Sequence, residues 1–335
     1  VRTDSDTRLE LLREWLAGCL DGGPVALSPA SADASFRRYF RVSARGQTWI
    51  AMDAPPARED CRPFVRVAAL MRAAGLHVPE VLAQDLERGF LLLSDLGTRT
   101  YLDALDAGNA DALFGDAIDA LIRLQRASRP DVLPPYDEAL LRREIDLFHD
   151  WYLVRHLGLR LADREHRTLA QMTSLILSRC LAQPAVYVHR DYMPRNLMLS
   201  EPNPGVLDFQ DAVFGPITYD AVSLFRDAFI SWEEARVIDW TARYWDKARR
   251  AGLPVRADFG DFYRDFEWMG LQRHLKVLGI FARIRHRDGK PGYVEDAPRF
   301  LGYARAVCSR YSELFPLLGL LERAGETQPA AGQPH

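Results

Sequence analysis

His189-Arg190-Asp191-Tyr192-Met193-Pro194-Arg195-Asn196 is followed, after the apolar run Leu197-Met198-Leu199 and a polar turn, by Gly205-Val206-Leu207-Asp208-Phe209. The spacing is H-x-D-x-x-x-x-N, with a further aspartate closing the next short apolar run. Read as short strands parted by polar turns, these residues set a carboxylate, an amide and a second carboxylate on one short hairpin. Phosphoryl transfer needs that set: a carboxylate beside the attacking hydroxyl, and an amide and a second carboxylate to hold magnesium against nucleotide phosphates. Either piece alone is a weak signal, whereas both in order make a strong one.

On either side of the motif the chain divides into two textures. Apolar residues recur at helical spacing over residues 8–20, and Asp21-Gly22-Gly23-Pro24 stops that helix. Residues 39–42 and 48–52 are β-rich runs flanking Ala44-Arg45-Gly46-Gln47, a hairpin; a helix over 61–74 and a second hairpin, 81–84 with 90–93, follow. Beyond Ser94-Asp95-Leu96-Gly97 the pattern turns helical, over 110–126, 138–156, 164–181, 232–251, 259–287 and 299–321, interrupted only by the strands around the motif. The expectation is an α+β, bilobal fold: a small antiparallel-sheet lobe over residues 1–94, a larger mainly helical lobe over 95–325 that carries the catalytic hairpin and substrate pocket, and a disordered tail over 326–335.

Composition narrows the function classes. With 335 residues, 48% hydrophobic and 27% charged, the chain is globular and long enough for two cores. Forty-three basic and 46 acidic residues leave a net charge of −3, so no global field draws it to nucleic acid or an anionic membrane. Arginine supplies nearly all the positive charge, since only Lys247, Lys276 and Lys290 are lysines. Cys19, Cys61, Cys180 and Cys308 are scattered without a C-x-x-C pair, which fits a reduced, cytoplasmic protein. No apolar run approaches about 18 residues, so neither a membrane span nor an export signal is expected.

The motif and its setting resemble the protein-kinase-like superfamily, in its aminoglycoside and choline phosphotransferase branch. The resemblance implies ATP and Mg2+ as cofactors, with Asp191 orienting or deprotonating the acceptor hydroxyl and Asn196 and Asp208 as metal ligands. His189 reads better as a loop-fixing residue than as a catalyst, and Asp211 as either a metal support or a turn residue. Asp220 resembles the acidic residue that braces the catalytic loop in small-molecule kinases. Only about nine residues separate Asp208 from the helix near Thr218, too few for the long regulated segment of protein kinases, so a small-molecule acceptor is implied. Met52 stands where that superfamily usually has a phosphate-pairing lysine. The loop over residues 31–36, with Ser35, is the candidate phosphate cover, and one of Arg37, Arg38 and Arg41, just after it, is the candidate to replace the lysine. Asp95 falls where the adenine-binding hinge is expected.

Ala32-Asp33-Ala34-Ser35-Phe36-Arg37-Arg38-Tyr39-Phe40-Arg41-Val42 and Met52-Asp53-Ala54-Pro55-Pro56, taken with the motif, are similar to the bacterial cell-wall-recycling sugar kinases, a likeness running from near residue 8 to about residue 320. That family phosphorylates the anomeric hydroxyl of N-acetylmuramate and N-acetylglucosamine with ATP, so the implied partner is a small amino sugar, met by a monomer without nucleic acid or membrane. Helical spacing sets Arg273, Lys276, Arg283 and Arg287 on roughly one face. Arg273 and Lys276 are thus candidates for a substrate carboxylate, and a solvated basic stripe is the competing reading. The alternatives are a kinase for an aminoglycoside or amino alcohol, against which the basic face argues, and a nucleotide-binding pseudokinase scaffold.

Overall fold

The computed structural model describes residues 4–20, 25–31 and 36–327, so Ser35 and the tail over 328–335 lie outside the described residues. In chain order come helix α1 (Asp4–Cys19), strands β1 (Ala26–Ser31), β2 (Arg38–Ala44) and β3 (Gln47–Asp53), helix α2 (Arg62–Ala73), strands β4 (Val81–Asp85) and β5 (Phe90–Ser94), and the short helix α3 (Tyr101–Ala104). Helices α4 (Ala110–Arg126), α5 (Glu138–Leu147) and α6 (Asp163–Leu181) follow. Strands β6 (Ala185–Val188), β7 (Leu197–Met198), β8 (Gly205–Val206) and β9 (Val213–Pro216) come next. The chain ends in helices α7 (Tyr219–Phe225), α8 (Glu234–Arg250), α9 (Phe259–Asp288), α10 (Ala297–Arg310) and α11 (Phe315–Glu326). No described helix is long and apolar enough to cross a membrane.

The described residues of Val1–Ala107 and Arg195–Asp211 form one compact unit. Its antiparallel sheet runs β1-β2-β3-β5-β4. Residues alternate between the two faces, and Val42, Ala51, Phe90 and Leu92 pack beneath Leu12 and Leu16 of α1. The β2–β3 connection is the two-residue turn Arg45-Gly46, both at positive φ (51° and 77°), the geometry that matches strand twist. Strand β1 has no counterpart in the sequence reading: Ala26-Leu27-Ser28-Pro29-Ala30-Ser31 lacks β-branched and aromatic residues, and its proline is tolerated because the strand lies at the sheet edge.

The β7–β8 hairpin belongs to this first unit. Leu199 N–H donates to the Arg99 carbonyl at 2.9 Å, His77 bridges Gly205, and Phe209 packs against Phe64 of α2 at 4.9 Å between ring centroids. The division is therefore discontinuous in sequence, unlike the single boundary after residue 94 expected above.

The second unit comprises Gly108–Pro194 and the described residues of Ala212–His335. Strand β6 pairs antiparallel with β9, Val188 opposite Val213, and not with β7. The three polar groups expected on one hairpin are thus carried by two strand pairs. Helix α9 is 30 residues long and buried almost continuously from Phe266 to Gly279. Where it crosses α5, a Cβ on Gly279 would lie 2.3 Å from the Leu147 carbonyl carbon, and at that point the 138–156 helix changes to a π-helix over Phe148–His156. The helix expected over 299–321 is two helices, because Tyr311 is extended (φ −116°, ψ 115°) and Pro316 restarts the chain as α11.

Helix propensity alone would make Gly279→Ala stabilising by about 1 kcal/mol. The contact with Leu147 reverses the sign, and urea denaturation should show a loss of about 1–3 kcal/mol. A stabilised variant would refute the close approach.

Candidate active site

Two different devices position the candidate residues. In the first unit it is strand register. Leu197 pairs with Val206 and Met198 with Gly205, and the Leu207 N–H extends the ladder to the Asn196 carbonyl at 2.9 Å. Asn196 is thereby opposite Leu207, next to Asp208, and its Nδ2 lies 3.4 Å from Asp208 Oδ2. Gln210 Nε2 donates to Asp208 Oδ1 at 2.8 Å and stands 3.5 Å from Asp211 Oδ2. Asp208 has φ +61°, a left-handed conformation that costs an aspartate energy and is typical of functional turns. Phe209, fully buried beside Phe64, anchors the turn.

In the second unit the device is a buried carboxylate. Asp220, at the start of α7, has no exposed surface; its Oδ2 accepts the His189 N–H at 2.7 Å and its Oδ1 the Arg190 N–H at 3.0 Å. Arg190 also has positive φ, +76°. His189 is buried, and its Nδ1 accepts the Asp191 N–H at 3.3 Å, which makes it a fixture of the loop. The Tyr192 hydroxyl donates to the Ala117 carbonyl of α4 at 2.7 Å. Asp191 sits within this loop, half-buried.

Beneath the loop lies an ion network that nothing in the sequence reading anticipated. Glu144 of α5 accepts from the Arg190 guanidinium, from the Tyr136 hydroxyl and from Lys276 Nζ at 3.0 Å. Lys276 Nζ also donates to the Tyr219 hydroxyl at 3.0 Å. Burial works against charge on Glu144, but Lys276 and Arg190 outweigh it and hold the carboxyl below its usual range. Burial likewise opposes charge on Lys276, and Tyr219 and Glu144 overcome it and raise its pKa. The only sequence signal for Glu144 is its place beside the apolar stripe Leu141, Ile145 and Phe148.

Register places Arg38 opposite Asp53, on the α1 face of the sheet. There the fully buried Asp53 accepts Nε–H of Arg38 and of Arg8, each at 3.0 Å. Arg37 Nε donates to Glu59 at 3.3 Å. Asp95 chelates Arg41 (2.7 and 3.0 Å) and accepts the Gly97 N–H at 3.0 Å. Burial would raise the Asp95 pKa, and these bonds hold it below the usual value. Arg273 and Lys276 are buried on α9, whereas Arg287 is exposed and paired with Asp288, so the basic face is not a solvated stripe. Tyr152, Trp240 and Trp268 are core residues.

Asn196 and Asp208 offer an amide oxygen and a carboxylate, the hard donors Mg2+ takes. No cluster of three or more His, Cys, Asp or Glu side chains suited to a metal exists among the described residues. A two-residue donor set suits an ion that completes its shell with phosphate oxygens and water.

Burial pushes the Asp220 carboxyl up to about 7, against the pull of its two amide donors. The folded form thus binds this proton more tightly than the unfolded chain, so the stability that Asp220 contributes falls as pH rises from about 4 to 7. The stability gap between wild type and Asp220→Asn should narrow over that interval in urea denaturation at pH 4.5 and 7.5. A widening gap would contradict this.

The chain matches a phosphotransferase enzyme family model over residues 26–259. It is 56% identical to an N-acetylmuramate/N-acetylglucosamine kinase of Pseudomonas aeruginosa over 326 residues, covering 94% of this chain and 96% of the relative. A kinase of the same name from Pseudomonas putida is 55% identical over 324 residues, again covering 94% and 96%. Among solved structures, a choline kinase from Streptococcus pneumoniae superposes with a TM-score of 0.64 at 11% identity, covering 90% of this chain and 99% of that one. That likeness bears on the fold, which is the kinase-like α+β fold. With the family model spanning most of the chain and the motif residues held as described, this protein belongs to the phosphotransferase enzyme family.

Proposed function

We propose that the protein transfers the terminal phosphoryl group of ATP to the anomeric hydroxyl of N-acetylmuramate and N-acetylglucosamine, releasing the sugar 1-phosphate for reuse in the cell wall. The observation that carries the phosphoryl-transfer part is the Asn196–Asp208 pair, an amide and a carboxylate set side by side by strand register. The sugar part is supported by the names of relatives that match over nearly their whole length.

In this reading Asn196 and Asp208 hold Mg2+, which supplies charge neutralisation at the phosphates when bound. Asp191 accepts the proton of the anomeric hydroxyl, a group more acidic than an ordinary alcohol, so a carboxylate of ordinary basicity serves. His189, Arg190 and Asp220 act through Asp191 as positioning residues. Arg37 and Arg38 are the arginines assigned to the phosphates; each also pairs with a carboxylate, Arg37 with Glu59 and Arg38 with Asp53. The backbone at Asp95 is assigned to the adenine edge, and Ser35 to the phosphate loop. All these groups come from one chain, so a monomer suffices. The scattered cysteines, without a C-x-x-C pair, support a cytoplasmic assignment.

Asp191→Asn should lower kcat by about 10²–10⁴-fold with the fold intact by circular dichroism. Asp208→Ala should lower it by roughly 10²-fold or more. Wild-type turnover in either folded variant would remove that residue from its role. Phosphorus NMR of the product should show a sugar 1-phosphate; a 6-phosphate would keep the family and discard the anomeric chemistry.

A further inference from the structure

A buried cation is costly unless an acid accompanies it. Among the described residues three cationic side chains are buried: Arg226, Arg273 and Lys276. Lys276 has Glu144 and the Tyr219 hydroxyl, each at 3.0 Å. Arg226 has the Tyr263 hydroxyl at 3.2 Å and Glu267 at 3.6 Å. Arg273 is 3% exposed, pairs with no described carboxylate, and its buried Nη1 has no hydrogen-bond partner.

The nearby counter-charge is Asp220, which feels Arg273 electrostatically but whose two oxygens already accept the His189 and Arg190 N–H groups. Asp220 holds the loop that contains Asp191, so Arg273 lies within electrostatic reach of the acceptor side of the chemistry. One turn further along α9, Lys276 is already compensated. The two cations that looked alike in sequence are therefore different: one is neutralised by the protein, and the other awaits an anion.

We propose that Arg273 receives the carboxylate of an acidic acceptor sugar, the lactyl carboxylate of N-acetylmuramate, and so sets the preference between that sugar and N-acetylglucosamine, which lacks the group. The inference rests on the amino-sugar kinase reading above. A planar guanidinium takes a carboxylate through two parallel, charge-assisted bonds. A neutral sugar leaves the buried group unpaired and is the poorer substrate for that reason. Were Arg273 only a counter-charge for Asp220, its loss would weaken turnover of both sugars alike.

The test compares kcat/KM for N-acetylmuramate, its lactyl carboxamide and N-acetylglucosamine in wild type and Arg273→Gln. Wild type should prefer the carboxylate over the carboxamide by about 10- to 100-fold, the scale of a charge-assisted bond. Arg273→Gln should erase most of that preference and penalise the muramate at least ~10-fold more than the glucosamine. Equal losses for both sugars, or a wild type indifferent to amidation, would overturn the assignment. If Arg273→Gln fails to fold, the wild-type comparison of acid with amide still decides. Wild-type activity on neither sugar would overturn the kinase reading and this inference together, whereas activity without an acid–amide difference overturns this inference alone.

Discussion

Two consecutive backbone N–H groups, those of His189 and Arg190, end on the two oxygens of one fully buried carboxylate, Asp220. Arg190 there has a left-handed backbone, a conformation that persists only where surrounding contacts enforce it. The rest of the loop follows. Asp191 comes next in the chain and bonds back to His189, Tyr192 reaches α4, and the Arg190 side chain descends to Glu144. Through Glu144 and Lys276 the same constraint ties together α5, α7 and α9. Each buried charge in the network has an opposite charge or hydrogen-bond donors beside it, the condition under which ions can be buried at all.

The Asn196–Asp208 pair is built on another principle. Asn196 and Asp208 owe their proximity to antiparallel pairing two residues long, extended by one further bond from Leu207. Such a short ladder would be weak alone. Phe209 against Phe64 and the Leu199–Arg99 bond hold it to the first unit. A strained, left-handed turn at Asp208 is thus carried by an aromatic anchor, while the strained turn at Arg190 is carried by the buried carboxyl group of Asp220.

Much of this was legible in the sequence where the signal is local. Helix α4 spans the residues that periodicity predicts, and the β2–β3 and β4–β5 hairpins fall around the glycines that mark their turns. The H-x-D-x-x-x-x-N spacing and the aspartate after β8 are local too. What was not legible depends on partners distant in the chain. Glu144 precedes Arg190 by 46 residues, and nothing in its own helix says which cations it will meet. The pairing of β6 with β9, not β7, depends on two four-residue strands with no distinctive pattern. Edge strand β1 lacks β-formers, and the change to a π-helix after Leu147 lies where Gly279 of α9 approaches. The arginines show the same limit, because sequence supplies many cations, and only burial and pairing separate Arg38, tied to Asp53, from Arg273, which has no acid of its own.

In the proposed reaction the sugar's own anomeric oxygen is the nucleophile and Asp191 its proton acceptor. The direct measurement is turnover of N-acetylglucosamine labelled with ¹⁸O at the anomeric position, read by phosphorus NMR of the product. Retention of the label in the bridging P–O–C position, seen as an isotope shift of the 1-phosphate resonance, is the result expected. Release of the label to water, or a product phosphate without the shift, would contradict it.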